Sequence, residues 1–195
     1  MKMTKLGYFS EFLVFPPLIL IAALYVFHTA EAPRLTTWLI VCTAGLAGWT
    51  LFEYFLHRVF FHHAPIVAEI HERHHDDPLE FIGSPAWLSA LVGLITVAGP
   101  SCALLGFDLG TAATAGIVIG YLWYVFVHYT THHWQTRHGS YLYRARHRHL
   151  RHHYSGDSGN FGVITGLWDH VFGTALDRRA PRSRASAKAR LTPEP

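Results

Sequence analysis

Four apolar runs organise the chain, at residues 12–28, 35–56, 86–107 and 111–127, and polar segments rich in histidine follow the second and the fourth. Each run is long enough, or nearly so, to cross a hydrocarbon core as a helix, which takes roughly 20 residues. The pattern predicts an all-α integral membrane protein: a four-helix transmembrane bundle with a helical, histidine-rich, metal-binding cap at one end. Pro16 and Pro17 in the first run, and Gly99 and Pro100 in the third, predict kinks or breaks there. Small residues in "AGLAGW" and "TAATAGIVIG" suit close helix packing inside the bundle better than exposure to lipid.

Composition agrees with the membrane reading, since 50% of the chain is hydrophobic and only 15% is charged, low for a soluble protein. Cys42 and Cys102 lie within apolar runs, so no disulfide framework is expected and the redox compartment stays open. Lys2 and Lys5 precede the first run, Arg58 and Arg73 lie between the second and third, and a long basic segment follows the fourth; Arg34 alone sits opposite. Cytoplasmic flanks collect positive charge, so both termini and the histidine segments are expected to face the cytoplasm, in a bacterial inner membrane or an endoplasmic reticulum membrane alike. The opening "MKMTKLG", its apolar run and Ala30-Glu31-Ala32 also have the look of a secretory signal peptide. Cleavage there would leave every histidine on the same side, so nothing functional is expected to hang on it. Residues 177–195, with "RRAPRSRASAKARLTPEP", read as a basic disordered tail, solvated or lying on anionic headgroups; no nucleic-acid partner is expected.

Histidine is the clearest chemical signal, with 16 in the chain and all but His28 between positions 57 and 170. "HRVFFH" supplies His57 and His62, "HERHH" supplies His71, His74 and His75, "HYTTH" supplies His128 and His132, and "HLRHH" supplies His149, His152 and His153. Positions i, i+3 and i+4 share a helix face, so each H-x-x-H-H set is expected to project three imidazoles in nearly one direction, as are His128 and His132. His57 and His62 fall roughly 140° apart on an ideal helix, so either the helix ends or distorts between them, or they serve different metals.

Ten imidazoles exceed the four ligands of a tetrahedral zinc and suit two metals with four or five nitrogens each. Soluble di-iron bundles use glutamates with E-x-x-H pairs, a set missing here, so the centre is expected to be almost purely histidine. Glu53, Glu69, Asp76, Asp77, Asp157 and Asp169 are candidates to fix imidazole tautomers, each against the plainer role of a solvated carboxylate. His28, His63, His133, His138, His147 and His170 read as ordinary surface or packing residues, with His133 and His147 the substitutes if a register shifts.

The stretch "EIHERHHDDP" contains H-E-x-x-H, which in a zinc protease would make Glu72 the general base. That reading leaves the histidines of the other boxes unexplained. A metal transporter would bury ionisable groups near the bilayer midplane, whereas these lie at run ends and in polar segments.

Over about residues 45 to 176 the chain resembles the fatty acid hydroxylase and sterol desaturase superfamily, and within it the fatty acid 2-hydroxylases that act on sphingolipids. The matching segments are "GWTLFEYFLHRVFFH", "HERHH", "GYLWYVFVHYTTH", "GSYLYRARHRHLRHHY" and "NFGVITGLWDHVFGT". The resemblance implies a non-haem di-iron site held by the ten histidines His57, His62, His71, His74, His75, His128, His132, His149, His152 and His153, with zinc able to substitute in purified protein. It further implies dioxygen as co-substrate, two electrons from a redox partner of cytochrome b5-like or ferredoxin-like type, and a lipid acyl chain bound in an apolar slot. Hydroxylation at carbon 2 of a fatty acid or N-acyl sphingolipid is the leading expectation; sterol or other lipid desaturation or oxidation is the sister activity that the boxes leave open. The expected divisions are 1–34, an N-terminal segment with the first helix; 35–176, the catalytic domain; and 177–195, the tail.

Three departures from the family pattern are visible. The membrane core nearly consumes the 195 residues, so electrons are expected from a separate protein rather than a fused cytochrome b5 domain. The link from His62 to His71 is short, and Val125 stands where those enzymes often carry aspartate. Trp49, Tyr54, Trp123, Tyr124 and Tyr129 are expected to serve as interface anchors or packing rather than substrate contacts. Asn160 and Gly162 are expected to shape a turn, and Trp168 with Phe172 to pack a short helix on the bundle.

Overall fold

A single glycine folds the longest apolar stretch back on itself. In the computed structural model, which describes residues 2–29, 32–154 and 159–176, the 48 residues Ala86–His133 form one of three helical stretches long and apolar enough to cross a membrane. The other two are Lys5–Thr29 and Arg34–Phe61. Ala30 and Glu31 of the signal-like triplet, Asp157 and the basic tail lie outside the described residues. Gly106 interrupts the long stretch with φ 77° and ψ 169°, backbone that glycine adopts at no steric cost. The two halves then meet, since a Cβ placed on Gly110 would lie 2.5 Å from the Cys102 Cα.

In chain order, α1 (Lys5–Phe9) leads into α2 (Glu11–Thr29), and α3 (Ala32–Phe55) continues through a π-helical turn, Leu56–Phe61. α4 covers Pro65–Asp76, α5 (Ala86–Gly93) passes through a second π-helical turn, Leu94–Ala98, into α6 (Gly99–His133), and α7 (Tyr141–Tyr154) and α8 (Leu167–Val171) follow. Among the described residues the only β pairing is an isolated antiparallel bridge between Lys2 and Ile82. It is reinforced by Met3 N–H donating to Phe81 O and by the Lys2–Glu80 ion pair, so the N-terminus is tied to the loop before α5.

The two expected interruptions turn out differently. α2 runs unbroken through Pro16 and Pro17, whose missing N–H groups forgo only two bonds near its start. Gly99 and Pro100 follow directly on the π-helical turn Leu94–Ala98, so the helix is distorted there as expected, and the full break comes later, at Gly106.

The small-residue stripes pack as expected. A Cβ on Gly116 would sit 2.0 Å from Cys42 O, and one on Gly120 would sit 2.5 Å from the Trp49 Cβ. Contacts therefore advance along α3 and the second half of α6 in the same sense, and the two helices run parallel. Both deliver their histidines to one end of the bundle. Toward the other end Val26, Trp38, Ala112 and Ala115 form a buried apolar cluster, and both cysteines are free thiols. Leu20, Ile21, Ile95 and Leu104 point outward, a surface suited to hydrocarbon.

Candidate metal centre

The structure gathers all ten sequence-selected histidines into two groups of five. His57, His62, His71, His75 and His152 form one; His74, His128, His132, His149 and His153 form the other; within each, one nitrogen per residue lies within 4.8 Å of every other. The H-x-x-H-H sets do not project together as expected. His71 and His75 enter the first group while His74 enters the second, and His149 and His153 enter the second while His152 crosses to the first. Residues i and i+4 lie closest on a helix face, and the i+3 residue between them leans to one side, toward the adjacent site.

The π-helical turn resolves the awkward spacing of His57 and His62. Its i→i+5 period widens the turn, so residues five apart align, and the two rings stack at 5.3 Å with planes 13° apart. Of the two alternatives left open by the spacing, distortion of the helix is the one observed.

A C-terminal loop orients the first group. His57 Nδ1 lies 2.6 Å from Phe161 O and His152 Nδ1 lies 2.9 Å from Gly159 O, so each ring donates there and turns the Nε2 lone pair into the cluster. Two buried carboxylates hold the loop. Asp169 accepts from Phe161 N–H at 2.8 Å, from Gly162 N–H at 2.9 Å and from the Thr174 hydroxyl at 2.8 Å. Glu53 Oε1 accepts from Val163 N–H at 2.6 Å and Ile164 N–H at 3.1 Å, while Arg148 donates to the carbonyls of Gly162 and Val163. Asn160 takes a positive φ of 58° where the loop turns, tolerable for asparagine. Trp168 and Phe172 dock α8 on α3, through a Trp168 indole bond to Thr50 and a Phe172 stack on Tyr54.

Thus Glu53 and Asp169 act on the backbone that holds the imidazoles, not on imidazoles directly. Glu69 pairs with Arg73 in solvent, Asp77 accepts from Leu79 N–H, and Asp76 is exposed. The carbonyls of Gly159 and Phe161 were missed because sequence shows side chains only; the polar "GN" and "WD" flanking the loop were the available signal.

The donor sets fit metal ions. Nε2–Nε2 separations are 3.0 Å for His57–His71 and His71–His75, 3.2 Å for His62–His152, 2.8 Å for His132–His149 and 3.1 Å for His149–His153. Two donors at right angles on a metal with bonds of ~2.1 Å stand about 3.0 Å apart. In the second group the buried His74 Nε2 has no hydrogen-bond partner. Burial, then the neighbouring imidazoles, pushes His71 and His149 well below the usual histidine range and His74 and His153 down to about 2. The rings are neutral at physiological pH, the form that ligation needs. Each cluster can therefore hold a metal ion.

The remaining histidines stay apart. His133 stacks on Tyr129 and Phe81, His147 lies against Tyr143 on an exposed face, and His28, His63, His138 and His170 are exposed. Glu72 is exposed as well.

A cavity of about 210 Å³ reaches both clusters, through His71 of the first and His74 and His128 of the second. Phe61, Val67, Ile70 and Val125 give it apolar walls. Tyr124, expected only to pack, lines it and stacks on His128. Met3, Tyr8 and Glu11 line it too, so the N-terminal segment is part of the site and its cleavage would open a wall, contrary to the sequence expectation.

The family model described as fatty acid hydroxylase matches residues 42–174. A fatty acid 2-hydroxylase of Macaca fascicularis is 29% identical over 147 residues, covering 69% of this chain and 39% of its own length. A dihydroceramide fatty acyl 2-hydroxylase of Arabidopsis thaliana is 31% identical over 164 residues, covering 76% of this chain and 64% of its own. The solved structure of full-length scs7p, in which only the hydroxylase domain is visible, superposes with a TM-score of 0.78 at 26% identity, over 91% of this chain and 70% of that one. The chain spans only about two fifths of the length of the mammalian relatives it matches.

Proposed function

Because the chain belongs to the fatty acid hydroxylase family, we propose that it is a membrane-bound two-metal oxygenase hydroxylating a lipid acyl chain, at carbon 2 of a fatty acid or N-acyl sphingolipid. One observation carries the reading: ten histidines converge as two five-nitrogen groups that face one apolar cavity. His57, His62, His71, His75 and His152 would hold one iron, and His74, His128, His132, His149 and His153 the other, with zinc able to occupy the same nitrogens in purified protein. When bound, the iron pair supplies dioxygen activation for attack on an unactivated C–H bond, using two electrons from a cytochrome b5-like or ferredoxin-like donor.

The chain supplies position and dryness. The carbonyls of Phe161 and Gly159 fix the rings of His57 and His152, so the metal-facing nitrogens are set before substrate arrives. Phe61, Val67, Ile70 and Val125 take the acyl segment and exclude water, and depth of insertion selects the carbon. In the bilayer, Ala86–His133 would cross twice by turning at Gly106, giving four crossings with both termini and the histidines in the cytoplasm. A zinc protease built on His71, Glu72 and His75 gains no support, because an exposed Glu72 cannot serve a water bound inside.

Lipid extracts test the proposal. Cells expressing the chain should accumulate 2-hydroxylated acyl lipids that disappear with His152→Ala. Unchanged lipids together with cleavage of a peptide would favour the protease instead.

A further inference from the structure

Two of the side chains that line the cavity beside the clusters, Val67 of α4 and Ser84 of the loop before α5, are exposed, while the rest are half-buried or buried. The cavity therefore opens to the outside where these two residues lie. Their place in the chain fixes the depth of that opening. The second apolar stretch ends at Phe61, just before α4, and the third begins at Ala86, just after Ser84. Both residues sit where the chain leaves or enters hydrocarbon, at the histidine-bearing end of the bundle.

The chemistry of the neighbouring residues matches that depth. Phe60, Ile66 and Trp87, which adjoin the two stretch ends, are 53%, 79% and 67% exposed, a surface that belongs against lipid and not in water. On α4 the polar Glu69, Glu72 and Arg73 are exposed on a different strip from Ile66 and Ile70, the two-sided pattern of a helix lying in the membrane surface. Trp87 stands at the start of α5 as an interfacial anchor would. A polar strap backs another part of the cavity wall. Lys2 pairs antiparallel with Ile82, Met3 N–H donates to Phe81 O at 2.8 Å, and Lys2 forms an ion pair with Glu80, while Met3, Ile82 and Gly83 line the cavity. We infer that Val67 and Ser84 frame a lateral portal, through which an acyl chain passes from the adjoining leaflet into the cavity. The inference rests on the hydroxylase reading for the ligand being an acyl lipid. A chain that enters this way keeps its methylenes out of water throughout.

The test reads entry apart from catalysis. Full-length, metal-loaded protein in phosphatidylcholine vesicles is offered a fatty acid with an environment-sensitive fluorophore on its tail, and the saturable signal gives association rate, dissociation rate and Kd. Hydroxylated product from the unlabelled acid is read in parallel by mass spectrometry with a reducing donor present. Val67→Trp and Ser84→Trp should each slow association and dissociation together by about tenfold and leave Kd within about twofold, because a narrowed mouth hinders passage both ways. Leu104→Trp adds the same bulk to an exposed residue away from the cavity and should leave both rates unchanged. Unchanged rates in both portal variants overturn the inference. So does a weakened Kd with an unchanged association rate, the mark of a side chain acting inside the cavity. A smaller change decides the matter should the tryptophan variants fold poorly: bimane on Val67→Cys or Ser84→Cys, with Cys42 and Cys102 replaced by alanine. Lipids spin-labelled near the top of the acyl chain should quench it and aqueous iodide should not; the reverse pattern overturns the portal. Slowed rates with no hydroxylated product from the wild type keep the portal and remove the hydroxylase reading, whereas product with unchanged rates removes the portal alone.

Discussion

His75 and His153 stack with ring centroids 4.2 Å apart and planes 16° from parallel, although they belong to different clusters. The two candidate sites therefore share a wall of imidazole. His75 Nε2 turns toward His71 at 3.0 Å and His153 Nε2 toward His149 at 3.1 Å, so each ring faces its own group while its plane touches the other. Damage to one site is expected to reach the other through this contact.

The H-E-x-x-H stretch gives the sharpest mutational contrast. His74 is buried in the second cluster and Glu72 is in solvent. His74→Ala should abolish lipid hydroxylation, while Glu72→Gln should stay within about twofold of the parent, as surface substitutions do. Product quantified by mass spectrometry decides it, and the reverse pattern would return the stretch to the proteases.

Asp169 is fully buried and holds two backbone N–H groups of the loop whose carbonyl orients His57. Asp169→Asn turns one acceptor into a donor facing a donor, a loss of about 1–3 kcal/mol. Melting temperature should fall, and metal content should drop toward one per chain as the His57 cluster empties first. An unchanged metal count would mean that the loop does not position that cluster.

Much of this site was legible in the sequence, and the limit has a physical cause. Spacing singled out the ten histidines because i, i+3 and i+4 positions are helix neighbours, and all ten converge. Spacing could not divide them, since the side to which His74 or His152 leans depends on which helix packs opposite. The π-helical turn at Leu56–Phe61 was visible only as an awkward five-residue interval. The apolar runs located the helical stretches long and apolar enough to cross a membrane, and Gly99 and Pro100 marked the π-helical distortion beside them. The turn at Gly106 lay beyond both, because a glycine's positive φ leaves no trace in an apolar pattern. The roles of Phe161 and Gly159 come from backbone carbonyls, which a linear pattern of side chains does not record.

The parallel packing of α3 on α6 predicts an unequal pair of glycine variants. A Cβ at Gly116 would collide with Cys42 O, whereas one at Gly48 meets nothing within 4 Å. Gly116→Ala should cost about 1–3 kcal/mol by overpacking. Gly48→Ala, in an exposed helical position, should be neutral or stabilising by up to about 1 kcal/mol. Thermal unfolding in detergent checks both; equal effects would contradict the packing.

Acid should unfold the metal-free protein early. Burial holds His74 and His153 down to about 2, whereas an unfolded histidine titrates near ~6.5. Below that value the unfolded chain binds more protons than the folded one, so stability present at higher pH is lost progressively as pH falls. Melting temperature of chelator-treated protein should decline from about pH 6.5 downward. A profile flat to pH 5 would show that the rings are not buried neutral.

The most direct test of the two-cluster account is the metal count of protein purified from iron-supplied cells, by mass spectrometry against amino-acid analysis. Stoichiometry matters more than identity, since zinc can displace iron on imidazole ligands. The account predicts close to two metals per chain, falling in the His74→Ala and His152→Ala variants. A single zinc per chain, kept in both variants, would contradict it.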